Sequence, residues 1–209
     1  MKAIIFDLDG VLVFTDRFHY QAWKQLADDL GIYFDEAINN RLRGVSRMAS
    51  LDIILEHTDI AYTQEEKEAF AAKKNEQYRK FLAAMTPEDV SADVRKTLAE
   101  LKRRGHRLAI GSSSKNTRFI LNQVDLTDVF DAVSDGTNIT HSKPDPEVFL
   151  KAAEFLKEHP SNCVVVEDAF AGIDAAKAAG MAAIGIGEAA AYSKTDVSIS
   201  SFSELLEVL

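Results

Sequence analysis

The feature that most constrains this chain is an alternation. Short apolar runs at 3–6 (Ala-Ile-Ile-Phe), 107–111 (Arg-Leu-Ala-Ile-Gly), 163–166 (Cys-Val-Val-Val) and 182–186 (Ala-Ala-Ile-Gly-Ile) alternate, from residue 91 on, with helix-like stretches at 91–104, 116–124, 146–157 and 169–179. Weaker strand candidates stand at 131–134 and 197–199, and 203–209 reads as a closing helix. Runs that are apolar at every position suit strands covered on both faces, and strands alternating with helices predict a parallel sheet in an α/β fold. Ser91 and Gly105 bracket one of the helices as cap and stop.

Residues 15 to 85 break the rhythm. They hold no convincing strand and read as helices near 16–30, 35–42, 47–57 and 64–84, the last charged and amphipathic. Thr86-Pro87-Glu88-Asp89 then reads as a return linker with a helix-start signal. An all-helical insert directly after the first strand is most simply a second, smaller domain, expected over 15–86, with 1–14 and 87–209 forming the main one. It is expected to stand over the C-terminal end of that strand, where open parallel sheets bind ligands.

Composition excludes several classes of function. The net charge of −9 argues against a nucleic-acid partner, which requires a basic face. No apolar run approaches the roughly 18 residues that cross a membrane. Asp7 and Asp9 interrupt any leader-like opening, so a cytoplasmic location is expected, with the chain acting as a monomer. Cys163 is the only cysteine, which forbids an internal disulfide and reads as small core filler.

The chemistry gathers at strand exits. The first strand ends in Asp7-Leu8-Asp9-Gly10, an i, i+2 carboxylate pair before a residue that permits a sharp turn. Another ends in Glu167-Asp168. Together these carboxylates make a hard, oxygen-rich pocket that suits Mg2+ better than zinc. Ser112-Ser113-Ser114-Lys115-Asn116 places hydroxyls, an amine and an amide at a helix start, a natural anion site. Lys143, between Ser142 and Pro144, adds a cation at a further strand exit.

Taken in chain order, as acid pair, serine loop, lysine and acid pair, the four stretches resemble the signature motifs of the haloacid dehalogenase superfamily of phosphotransferases, over the whole chain. The resemblance implies a Rossmann-like core with an inserted helical cap. It also implies roles. Asp7 is then the nucleophile that becomes an aspartyl phosphate and Asp9 the general acid and base. Ser112 and Lys143 bind the phosphoryl group. Asp7, Asp168 and the Asp9 carbonyl ligate Mg2+, with Glu167 supporting them.

Three further segments resemble the family's mutases that act on beta-glucose 1-phosphate: the loop Leu42-Arg43-Gly44-Val45-Ser46-Arg47 running on to Ser50, the segment Lys73-Lys74-Asn75-Glu76-Gln77-Tyr78, and the 112–116 loop, in which Ser113 replaces a more usual small apolar residue. His19 also matches a histidine near the hinge. Substrate contacts are thereby implied for Asp9, His19, Gly44, Val45, Ser46, Arg47, Ser50, Lys74, Ser112, Ser113, Ser114, Lys115, Asn116 and Lys143. Glucose 1,6-bisphosphate is the implied intermediate and activator, with Arg47 on its distal phosphate. A sugar-phosphate phosphatase and an inactive binding module on the same fold are the alternatives.

Overall fold

A computed structural model describes residues 3–42 and 45–209. Two compact units emerge, one of Met1–Phe14 with Met85–Leu209 and one of Thr15–Ala84.

The smaller unit is helical. Its elements are α1 (Asp16–Leu30), α2 (Glu36–Asn40), α3 (Arg47–Leu55) and α4 (Gln64–Leu82). Each boundary has a local cause. Gly31 ends α1 in the left-handed conformation, φ 69°, that glycine adopts without strain. Asp35 and Ser46 cap α2 and α3 by accepting the N–H of Ile38 and Ala49, and Thr63 with Glu66 forms a capping box at α4. The apolar faces meet in a core of Trp23, Leu26, Phe34, Ile38, Leu51, Ile54 and their neighbours.

The larger unit carries a six-stranded, wholly parallel sheet in the order β3-β2-β1-β4-β5-β6. The strands are β1 (Ala3–Phe6), β2 (Arg107–Gly111), β3 (Ala132–Ser134), β4 (Cys163–Glu167), β5 (Ala182–Gly185) and β6 (Val197–Ser198). Helices α5 (Ala92–Arg103), α6 (Thr117–Gln123), α7 (Glu147–Leu156), α8 (Phe170–Ala178) and α9 (Leu205–Val208) follow in chain order. On one face Ile5, Ala109 and Val165 pack with Val148, Phe149 and Ala152 of α7 and with Ile173 and Ala176 of α8. On the other, Phe6 meets Phe130 and Phe202, with ring centroids 6.2 and 5.7 Å away. Burial of both faces explains why β1, and β4 as far as Val166, are apolar.

β1 lies at the switch point of this order, with β2 on one side and β4 on the other. A crevice outside the carboxyl ends of those strands is the ligand-binding place that such topology creates. β4 runs one residue beyond the expected 163–166 to include Glu167. Among the described residues no helix is long and apolar enough to cross a membrane.

Candidate active site

Asp7 leaves β1 with its N–H donating to Val166 O at 3.0 Å, which keeps the carboxyl beside β4. Lys143 Nζ donates to Asp7 Oδ1 and to Glu167 Oε1, both at 2.5 Å, and all three side chains are buried. The other Glu167 oxygen, Oε2, accepts the Ala169 N–H at 2.8 Å. Glu167 is thus engaged on both oxygens, which suits a supporting role. Gly172 makes room for it, since a Cβ there would lie 1.8 Å from Glu167 Oε1.

The electrostatics follow from burial. Desolvation pushes the Asp7 carboxyl up to about 7, Glu167 and Asp9 add to the rise, and Lys143 opposes it. Burial also works against the Lys143 charge, but Asp7 and Glu167 outweigh it and hold the ammonium above the ordinary lysine range. Oxygens of Asp7, Glu167 and Asp168 all lie within 4.8 Å of one another. Two of these carboxylates, Asp7 and Glu167, share one ammonium, and the donors are hard oxygens, so the three-carboxylate group fits a divalent cation such as Mg2+. Gly10, at φ 86°, turns the chain and leaves space for Asp168. A Cβ at Gly10 would lie 2.0 Å from Asp168 Oδ2. Asp9 stands in the turn, bridged to Val13, near enough to raise the proton affinity of Asp7.

The 112–116 loop follows β2. Ser112 Oγ accepts the Ser114 N–H and Ser114 Oγ accepts the Asn116 N–H, each at 3.2 Å. A hydroxyl that accepts still has its hydrogen to donate to an anion. Ser112 and Asn116 are buried, Ser114 is half-buried and Lys115 is exposed. The Ser113 hydroxyl is buried with no hydrogen-bond partner among the described residues. Gly136 seats the loop: its N–H donates to Ser114 O at 3.1 Å, and a Cβ there would lie 2.4 Å from Ser113 O.

The helical unit holds a second polar group. Lys74 is buried, its Nζ 2.9 Å from His19 Nδ1 and 4.6 Å from the ring centroids of both Trp23 and Tyr78. An ammonium only donates, so His19 Nδ1 accepts and Nε2 carries the proton. Burial first, then Lys74 and Arg47, push the His19 pKa well below its ordinary value. Arg47 Nη2 donates to Asn75 Oδ1 at 2.8 Å. Ser50 is buried on the same helix, α3, while Val45 and Ser46 are half-buried and the Ser46 hydroxyl accepts from Ala49 as the cap. Gly44 lies outside the described residues.

Sequence reasoning missed the glycines at 172 and 136 and the aromatic walls around Lys74. Glycine at a close approach has no local signature. Trp23 and Tyr78 read as ordinary core residues at helical spacing.

Comparison with known proteins agrees with this arrangement. A family model for haloacid dehalogenase-like hydrolases matches residues 1–180. The beta-phosphoglucomutase of Bacillus subtilis is 40% identical, with all of this chain and 94% of that protein aligned. The fructose-1-phosphate phosphatase of Escherichia coli K12 is 33% identical, with 88% and 95% covered. Among solved structures, beta-phosphoglucomutase from Clostridium difficile superposes with a TM-score of 0.92 at 37% identity, covering 98% of this chain and 93% of that one. With a parallel sheet, an acid pair closing β1 and a buried lysine joined to it, the chain belongs to the haloacid dehalogenase-like hydrolase family.

Proposed function

We propose that the chain is a beta-phosphoglucomutase that interconverts beta-D-glucose 1-phosphate and glucose 6-phosphate, with glucose 1,6-bisphosphate as the intermediate. The full-length match to the Bacillus enzyme supports the reaction. One observation carries the choice of mutase over phosphatase: the helical unit has its own cationic group, with Lys74 buried and Arg47 half-buried. Arg47, held by Asn75, and Lys74, walled by Trp23 and Tyr78, exceed what hydrolysis of a single phosphate requires. A bisphosphate carries a second phosphate, and a guanidinium suits it as a forked donor.

Asp7 is the nucleophile. Its carboxylate takes a phosphoryl group, and phospho-Asp7 then passes it to the free hydroxyl of the sugar phosphate. Asp9 removes the hydroxyl proton as the new P–O bond forms. The bisphosphate next presents its other phosphate, Asp7 is phosphorylated again, and Asp9 returns the proton to the departing sugar oxygen. General acid–base help of this kind contributes about 10²–10⁴ in rate. Lys143 lessens repulsion between Asp7 and the incoming phosphate, and the Ser112 hydroxyl donates to a phosphoryl oxygen. Asp7, Asp168 and the Asp9 carbonyl would hold Mg2+, with Glu167 behind them, and when bound the ion neutralises phosphoryl charge. His19, whose Nε2 carries the proton, donates to a sugar oxygen. Ser114, Lys115 and Asn116 offer further donors to substrate phosphate.

The test compares two products. Beta-glucose 1-phosphate is supplied with a trace of the bisphosphate and Mg2+, and glucose 6-phosphate is measured against inorganic phosphate. Glucose 6-phosphate is expected to dominate. If phosphate release dominates, the enzyme is a sugar-phosphate phosphatase.

A further inference from the structure

We infer that Phe149 is a positioning residue for Lys143: its ring forms the third wall of the pocket that holds the ammonium, and residue 111 is a glycine so that the ring can lie there. An ammonium has three N–H donors. Asp7 Oδ1 and Glu167 Oε1 engage the Lys143 nitrogen on two sides. The Phe149 ring lies on another, its centroid 4.8 Å from Nζ, within the range where a cation is drawn to the negative face of an aromatic ring. Phe149 is fully buried.

The second observation is independent of the first. A Cβ at Gly111 would lie 2.6 and 2.8 Å from Phe149 Cδ1 and Cε1, and 3.0 Å from Ile5 Cγ2. Gly111 is one register step beyond the Ile110–Phe6 pair, so it borders Asp7 on the sheet. The backbone there is bare where the ring rests. Five residues separate Lys143 from Phe149, and Pro144 and Pro146 restrict the segment between them. Chain stiffness and the glycine recess together fix the ring relative to the ammonium.

Without the ring, the ammonium would be held only by two carboxylates and could tilt or admit water, which weakens its pull on incoming phosphate. This rests on the proposal that Asp7 is phosphorylated. A plain core-filling role predicts something else: loss of stability on shrinking the residue, with no dependence on the ring's electrons.

Fluorinated phenylalanines separate the two. Mono-, di- and trifluorophenylalanine at position 149 keep the shape of the ring while draining its negative face. The rate of Asp7 phosphorylation by acetyl phosphate, in the Mg2+-loaded enzyme, is expected to fall stepwise along the series. Phe149→Leu is expected to lower it by roughly tenfold. The melting temperature should hold nearly constant across the fluorinated set. In parallel, the Lys143 Hε protons, shifted upfield by the ring in the wild type, should lose that shift in Phe149→Leu. Equal rates across the fluorinated series overturn the inference. Should Phe149→Leu fail to fold, the isosteric series decides alone. If the wild type forms no phosphoenzyme, the proposed function fails, and the Lys143 proton shift alone decides the inference: an unshifted signal overturns it.

Discussion

Lys143 Nζ reaches Asp7 Oδ1 at 2.5 Å across 136 residues of chain, and the same nitrogen lies 2.5 Å from Glu167 Oε1. One buried ammonium therefore ties the exit of β1 to the end of β4. Removing a single partner of a buried ion pair leaves the others uncompensated, which costs more than the pair itself contributes. Lys143→Met is expected to lower stability by about 3–5 kcal/mol in urea melts. It should also abolish phosphoenzyme formation under conditions where the variant remains folded. Full phosphorylation in Lys143→Met would remove the lysine from the mechanism.

Asp7 makes stability depend on pH in the chelated protein. Burial pushes its carboxyl up to about 7 in the folded chain from an ordinary value of 3.8, so between those values the folded chain binds more protons than the unfolded one. The contribution of Asp7 is fully present below about pH 4 and is lost as pH rises towards 7 and above. Urea midpoints with EDTA should therefore fall from pH 4 to pH 8 more steeply for the wild type than for Asp7→Asn. Parallel curves would show that Asp7 titrates normally.

Gly172→Ala tests the seat of Glu167. The added Cβ would sit 1.8 Å from Glu167 Oε1, so the carboxylate must shift and its bond from Lys143 must lengthen. Alanine suits the interior of α8 better than glycine by roughly 1 kcal/mol, yet net destabilisation is expected because a buried charged contact is broken. Phosphoenzyme formation should fall along with the melting temperature. A more stable and fully active variant would mean that Glu167 has room to move.

Arg47→Ala separates transfer to sugar from transfer to water. Loss of a charged hydrogen bond to a phosphate, at about 1.5–3 kcal/mol, predicts a drop of roughly 10- to 100-fold in glucose 6-phosphate formation. Hydrolysis of acetyl phosphate should stay within about twofold of wild type. An equal loss in both assays would place Arg47 outside the distal phosphate site.

Lys74→Met tests the His19 contact. Burial holds His19 neutral and Lys74 adds to that effect, so its folded pKa lies below the unfolded value of about 6.5. His19 accordingly contributes stability that is present above that value and is lost as pH falls. In Lys74→Met its pKa should rise part of the way back, since burial remains, as read from imidazole shifts in an NMR titration. An unmoved pKa would show that burial alone holds it down.

The order of strands and helices was legible because it is written locally. Period and composition within a few residues mark β1, β2, β4 and β5, and Ser91, Ser46 and Thr63 announce helix starts by side chains that reach only three residues on. The acid pairs were legible for a related reason, since a carboxylate pair closing an apolar strand is conspicuous.

The lysines show where such reading stops. Lys73 and Lys74 are neighbours on one charged helix, and nothing in their local pattern distinguishes them. Lys73 is exposed and pairs with Asp29 at 2.8 Å, while Lys74 is buried against Trp23, Tyr78 and His19. Lys115 is exposed and Lys143 buried, though each follows serine beyond a strand. The recess that Gly111 offers Phe149, and the one that Gly172 offers Glu167, exist only where distant segments meet. By itself the sequence determined which segments become strands and helices and which residue types wait at their ends. The tertiary structure alone decided which charges share a dry pocket, because burial and Coulomb partners are contributed by residues far apart in the chain.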